Sequence, residues 1–151
     1  MDGKLTKIYS ASVNGIDATL ITIEVSVTVG YGITIVGLPD TAVKESAERI
    51  KASLRPHQIK LGRSNIVINM APADVKKEGA AFDLPLAIGI MASCRKVPEE
   101  ELNRYMIMGE LSLDGSVMPI KGVLPMAILA RSLNMKGFIV PNDNEYEAAV
   151  V

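Results

Sequence analysis

The sequence predicts an α/β (α+β) domain in which a mixed β-sheet is packed with helices, and three observations predict it. β-rich segments occur in hairpin-like pairs before single amphipathic helical patterns, instead of the strict alternation of a doubly wound fold. Two of the longest β-rich segments meet at Asn14-Gly15, a strong hairpin signal because both residues tolerate positive φ. A stretch from Ala81 to Cys94 carries no charge except Asp83, the pattern of a helix enclosed by other layers. The 151-residue length fits one domain, residues 1–151.

Lys4 to Asn14 and Ile16 to Val29 form the arms of the hairpin. Alternation in the second arm sets Ala18, Leu20 and Thr22 against Thr19, Ile21 and Ile23 without deciding which face is buried. A third strand, Ile33 to Val36, runs into the turn Gly37-Leu38-Pro39. Asp40 or Thr41 caps the helix that follows, whose apolar stripe is Val43, Ala47, Ile50 and Leu54 and which Pro56 stops. Ile66 to Met70 is a strand, Ala71 to Gly79 a loop, and the uncharged helix runs from about Ala81 to Cys94. Tyr105 to Leu113 and Ser116 to Ile120 flank an Asp114-Gly115 turn. A helix from Val123 to Leu133 tolerates Pro125 in its first turn, and Gly137 to Val140 is a short strand. Pro141-Asn142 followed by Glu145 resembles a capping box, yet Val151 arrives without a C-cap, so a piece of a longer chain is expected.

Hydrophobic residues at 48% and charged residues at 22% exclude a disordered or fibrous chain. Sixteen Lys and Arg against seventeen Asp and Glu give no global basic field for nucleic acid or anionic membrane. Cys94 alone forms no disulfide framework, and with His57 as the single histidine no zinc-ligand spacing occurs; no metal site is expected. The N-terminus lacks a signal-peptide core, and the apolar run Ala80 to Cys94 is broken by Asp83 and too short for a span. A soluble, cytoplasmic chain without membrane contact is expected. No glycine-rich loop ends in Gly-Lys followed by Ser or Thr, so this chain should not bind ATP by itself.

Arg49, Lys51, Arg55, Lys60 and Arg63 fall in a stretch without an acid, the best local candidate for DNA phosphate contacts. The plainer account is helix-dipole complementation and a solvated face, with no aromatic interleaved for stacking. Lys76 to Pro85 sets a charged turn against the start of the enclosed helix, where free N–H groups attract an anion, although Asp83 can fill that role as a self-cap. Glu110 shares a face with Met106, Met108 and Ser112 and needs a partner such as Lys77 if buried. Cys94 reads as a small buried hydrophobe, His57 as a surface or capping residue, and the methionines as core fillers.

Together, Gly37-Leu38-Pro39, Lys77-Glu78-Gly79 with Phe82-Asp83-Leu84-Pro85, and Gly109 to Gly115 followed by Pro119-Ile120-Lys121-Gly122 resemble the N-terminal domain of the magnesium-chelatase-related ComM/YifB family. The resemblance covers nearly the whole chain. It implies a ribosomal protein S5 domain 2-like fold, shared with the Lon protease catalytic domain, ahead of an AAA+ ATPase module that uses ATP and Mg2+. No cofactor is implied for this chain. Lon uses a Ser-Lys dyad in which the serine follows a Lys-Asp-Gly-Pro turn. By that likeness Lys77-Glu78-Gly79-Ala80 matches the turn, placing the nucleophile position at Ala81 and the lysine position at Leu124. A methyl group cannot attack a carbonyl and an isobutyl group cannot take its proton, so no catalytic residue is expected.

The implied function is a noncatalytic domain supporting assembly or DNA and partner engagement by its own AAA+ module, in ATP-driven DNA remodelling of the branch-migration type during competence. The implied partners are that module, DNA and, in the full-length protein, the other copies of a homo-hexamer. The alternative is a Lon-like serine peptidase with a noncanonical site near Lys77, Asp83 and Lys121. An RNA-binding module, after the ribosomal relative of the fold, is disfavoured by neutral charge and sparse aromatics.

Overall fold

The computed structural model describes residues 5–151. The expected start of the first strand at Lys4 lies outside the described residues. Strands β1 (Thr6–Asn14) and β2 (Asp17–Val29) are antiparallel, with Asn14 opposite Asp17. The two-residue loop is therefore Gly15-Ile16, one position beyond the expected pair. Gly15 takes φ +66°, whereas Asn14 stays extended, as suits a turn with glycine first.

Strand β3 (Ile33–Val36) runs parallel to β4 (Ser64–Ala71), which pairs antiparallel with β2. On the other side of β1 lie β5 (Tyr105–Ile107) and β8 (Gly137–Ile139), both parallel to it, giving the order β3-β4-β2-β1-β5-β8. The sheet is mixed, as expected. Ile21, Ile23, Val25 and Val27 of β2 are the buried set, which settles the ambiguous alternation. Helix α2 (Asp83–Ser93) packs on β1 and β2 and also touches α1 (Thr41–Leu54). No residue of α2 is fully exposed, matching its lack of charge. Its close approach needs Gly89, where a Cβ would lie 3.0 Å from Val25 Cγ2.

Asp40 caps α1, its Oδ1 accepting from Val43 N–H at 2.8 Å, and Pro56 sits in a short 3-10 turn just beyond the helix. Two expectations are corrected. The strand expected over Tyr105 to Leu113 breaks after Ile107, and Glu110–Leu111 (β6) pairs instead with Val117–Met118 (β7) in a separate small sheet. The break has a backbone cause: Gly109 N–H donates to Ala81 C=O, and Gly109 C=O accepts from Leu84 N–H. The chain thus leaves the sheet to dock on the start of α2. The capping box also does not form. A 3-10 turn over Asn142–Asn144 leads into α4 (Glu145–Ala149) without a side-chain cap, and buried Asn144 bonds both N–H and C=O of Ile120. Helix α3 (Val123–Ser132) contacts α4, β2 and β8.

Candidate functional site

The turn after β3 and the loop before α2 are stitched together. Lys77 N–H donates to Leu38 C=O at 3.0 Å and Asp40 N–H to Lys77 C=O at 2.9 Å. Asp40 Oδ2 accepts from Gly79 N–H at 3.0 Å while its other oxygen caps α1. One carboxylate therefore ties the start of α1 to the Lys77-Glu78-Gly79 turn, and the Lys77 backbone ties that turn to Leu38.

Lys77 is fully buried, and its ammonium donates to Gly37 C=O at 2.6 Å and to Pro72 C=O. The expected pairing with Glu110 is not made, because the backbone carbonyls surrounding the lysine already satisfy it. Burial holds the Lys77 pKa below its ordinary value, Asp74 opposing the shift. The charged form is thus disfavoured in the folded state relative to the unfolded one. Its destabilising effect is fully present below the lowered pKa and is relieved as pH rises through it toward the ordinary 10.5. Wild type is accordingly expected to gain stability relative to Lys77→Met as pH rises through that window. Urea unfolding at stepped pH checks this; a constant difference contradicts it.

Asp83 does not act as a helix self-cap. It is fully buried and accepts from Ser46 Oγ at 2.6 Å, Arg49 Nε at 2.7 Å and Leu111 N–H at 3.1 Å, joining α1, α2 and β6. The α2 amides do not await an anion either: Asp83 N–H bonds Ala80 C=O, Leu84 N–H bonds Gly109 C=O, and Pro85 has none. Arg49 also donates to Ala42 C=O, and its pKa is raised chiefly by the hydrogen bond to Asp83. Half-buried Glu110 adds to the field on Arg49 rather than meeting Lys77. Of the basic stretch, Arg49 is therefore committed internally, and Lys51 pairs with Glu48 at 3.1 Å.

Arg55, Lys60 and Arg63 are exposed. The structure also supplies the aromatic that the stretch itself lacks, since the Arg63 guanidinium lies 5.9 Å from the ring centre of exposed Tyr31. Exposed His57 packs against the 112–115 turn, where a Cβ at Gly115 would lie 2.4 Å from its Nε2. Cys94 is half-buried at the end of α2, its thiol pKa raised by burial.

A cleft of about 830 Å³ lies between the end of the first hairpin, the 75–82 loop and the start of α3. Ala81, Phe82, Met108 and Met126 line it together with Lys121 and Gly122. The fold thus brings Ala81 and Lys121 to one cavity. Leu124 is not among the lining residues; it is exposed, and its N–H donates to Glu147 Oε1 at 3.2 Å. Leu84 and Pro85 belong to the first turn of α2 and brace it, rather than facing this cleft.

These features define a mixed α/β domain whose cleft has hydrocarbon at the position that the Lon resemblance gives to a nucleophile. Residues 23–144 match the family model for subunit ChlI of Mg-chelatase, and the chain belongs to that family. It is 40% identical over 148 residues to Competence protein ComM of Haemophilus influenzae, covering 97% of this chain and 29% of that protein. Escherichia coli YifB is 35% identical with the same coverage. Lon protease 2 of Bacillus subtilis is 30% identical over 84% of this chain and 26% of its own length. The chain spans 29% of the length of the ComM and YifB relatives. Among the described residues no helix is long and apolar enough to cross a membrane.

Sequence reasoning missed the Ser46-Arg49-Asp83 cluster and the approach of Tyr31 to Arg63. The apolar stripe of α1 locates the buried face on which Ser46 sits. Nothing local, however, links Arg49 to an acid 34 positions away.

Proposed function

We propose that this chain is a noncatalytic domain of a magnesium-chelatase-related AAA+ ATPase. It supports assembly or DNA and partner engagement for ATP-driven DNA remodelling of the branch-migration type. ATP and Mg2+ belong to the motor elsewhere in the full-length protein. The carrying observation is that Ala81 and Lys121 line one cleft, so that the position which the Lon resemblance gives to a nucleophile carries only a methyl group. Family membership supports the chelatase-related assignment, and the name of the ComM relative supports a role in competence.

The rival, a serine peptidase with a noncanonical site, has one observation in its favour, because Ser12 lines the same cleft as Lys121. Against it, Ser12 lies within paired β1, and among the described residues no hydrogen bond joins its hydroxyl to a base. Lys77 and Asp83, the other residues of that alternative, are buried in structural hydrogen bonds. A fluorophosphonate serine probe tests the proposal. The purified chain is expected to remain unlabelled; labelling abolished by Ser12→Ala would overturn it in favour of the rival.

A further inference from the structure

At the β3 edge of the sheet, the end of α1 and the chain that follows it enclose a cleft of about 310 Å³. Leu54, Ile59 and Leu61 give it an aliphatic floor, with Ile33 of β3 beside them. The loop that shapes it is held by its own hydrogen bonds. Gln58 N–H donates to Arg55 C=O at 2.9 Å, Ile59 N–H to Leu54 C=O at 3.2 Å and Ser64 Oγ to Leu61 C=O at 2.6 Å.

The surroundings of the cleft are positive. Arg55 and Lys60 line it, and Arg63 lies by the exposed ring of Tyr31, another lining residue. Lys51 lines it too but is held by Glu48. Among the described residues, Arg55, Lys60 and Arg63 pair with no acid, and residues 49–73 contain none. In a chain whose net charge is −1, this is a local excess of uncompensated cation beside apolar surface.

An exposed apolar patch rimmed by charge marks an interaction surface. Two features select a polypeptide over a nucleic acid as its occupant. β3 pairs only with β4, so among the described residues its outer edge carries no strand. Gly32 C=O accepts from Ile66 N–H at 2.9 Å, so the alternating backbone groups of Ile33 face the open side, where an extended peptide can add as a further strand. The aliphatic floor, in turn, would strip water from the polar edges of a base without replacing it, and Tyr31 is the one aromatic in the lining.

We propose that this cleft binds an acidic polypeptide segment, extended along the outer edge of β3. One large apolar side chain seats on Leu54, Ile59 and Leu61, and the flanking carboxylates meet Arg55, Lys60 and Arg63. The proposal rests on the partner-engagement part of the reading above and gives it a place and a ligand class.

Fluorescence anisotropy tests it with a labelled peptide in which three aspartates stand on each side of one phenylalanine. The wild-type chain is expected to bind this peptide saturably, and more weakly as salt rises. A peptide with alanine in place of the phenylalanine should bind at least tenfold more weakly, because the anchor is lost. So should the phenylalanine peptide on a chain carrying Arg55→Gln, Lys60→Gln and Arg63→Gln, its folding established by circular dichroism. Independently of any variant, the peptide should shift the wild-type amide resonances of residues 31–33 and 54–63. No binding by the wild-type chain, equal binding of the two peptides, or shifts confined to other residues overturns the proposal. So does displacement of the peptide by oligothymidylate at lower concentration than by unlabelled peptide, since the cations then serve phosphate. Labelling by the serine probe would refute the noncatalytic reading and leave this cleft untouched, whereas a chain that ignores the peptide refutes the cleft without supplying a nucleophile.

Discussion

Replacing Asp83 with alanine is expected to destabilise the domain by about 3–5 kcal/mol, the usual cost of removing one partner from a buried ion pair. The two oxygens of Asp83 receive Ser46 Oγ, Arg49 Nε, a second Arg49 nitrogen at 3.0 Å and Leu111 N–H. Truncation leaves a largely buried guanidinium, whose side chain is 22% exposed, without its counter-charge. It also leaves the Ser46 hydroxyl and the Leu111 amide without an acceptor. Asp83→Asn retains the shape and one acceptor and should lose less. Adding Arg49→Met to Asp83→Ala should recover part of the loss, since the stranded charge goes with its side chain. Urea unfolding of the four proteins measures these terms. A loss below about 1 kcal/mol for Asp83→Ala, the range of surface pairs, would show that the cluster does not hold α1, α2 and β6 together.

Gly37→Ala is expected to cost on the order of 3 kcal/mol or to prevent folding, combining left-handed backbone strain with overpacking. Gly37 has φ +105°, and a Cβ there would lie 2.3 Å from Met70 C=O oxygen and 3.0 Å from its carbon. Those atoms are backbone of β4, so they cannot yield without disturbing the pairing with β3. Gly37 C=O also receives the Lys77 ammonium, so displacement would loosen the loop leading to Ala81. Gly15→Ala is the control. Gly15 has φ +66° but open space around a Cβ, so strain alone applies, about 1–2 kcal/mol. Comparable losses in the two variants would contradict the steric account of Gly37.

What the sequence made legible was local or periodic. The first hairpin, the Asp40 cap, the stop at Pro56 and the enclosure of α2 each depend on residues near in sequence or on the absence of charge over a run. The helices formed where the apolar spacing placed them, with α2 starting two residues later than expected and α4 reduced to a single turn. The break in the strand after Ile107 was hidden because its apolar character continues through Met108, whereas the cause is hydrogen bonding to the distant Ala81 and Leu84. The roles of Asp83 and Lys77 were misread for the same reason. Asp83 reads locally as a helix self-cap and Lys77 as a partner for Glu110, whereas each is buried among partners from other elements. Of the three residues named for the peptidase alternative, Lys121 is the one that lines the cleft with Ala81.

Turnover of an unfolded protein substrate by the purified chain, followed by mass spectrometry alongside Lys121→Ala, tests the noncatalytic cleft most directly. The account predicts no cleavage by either protein beyond a buffer control. Cleavage by the wild-type chain that disappears in Lys121→Ala would contradict it.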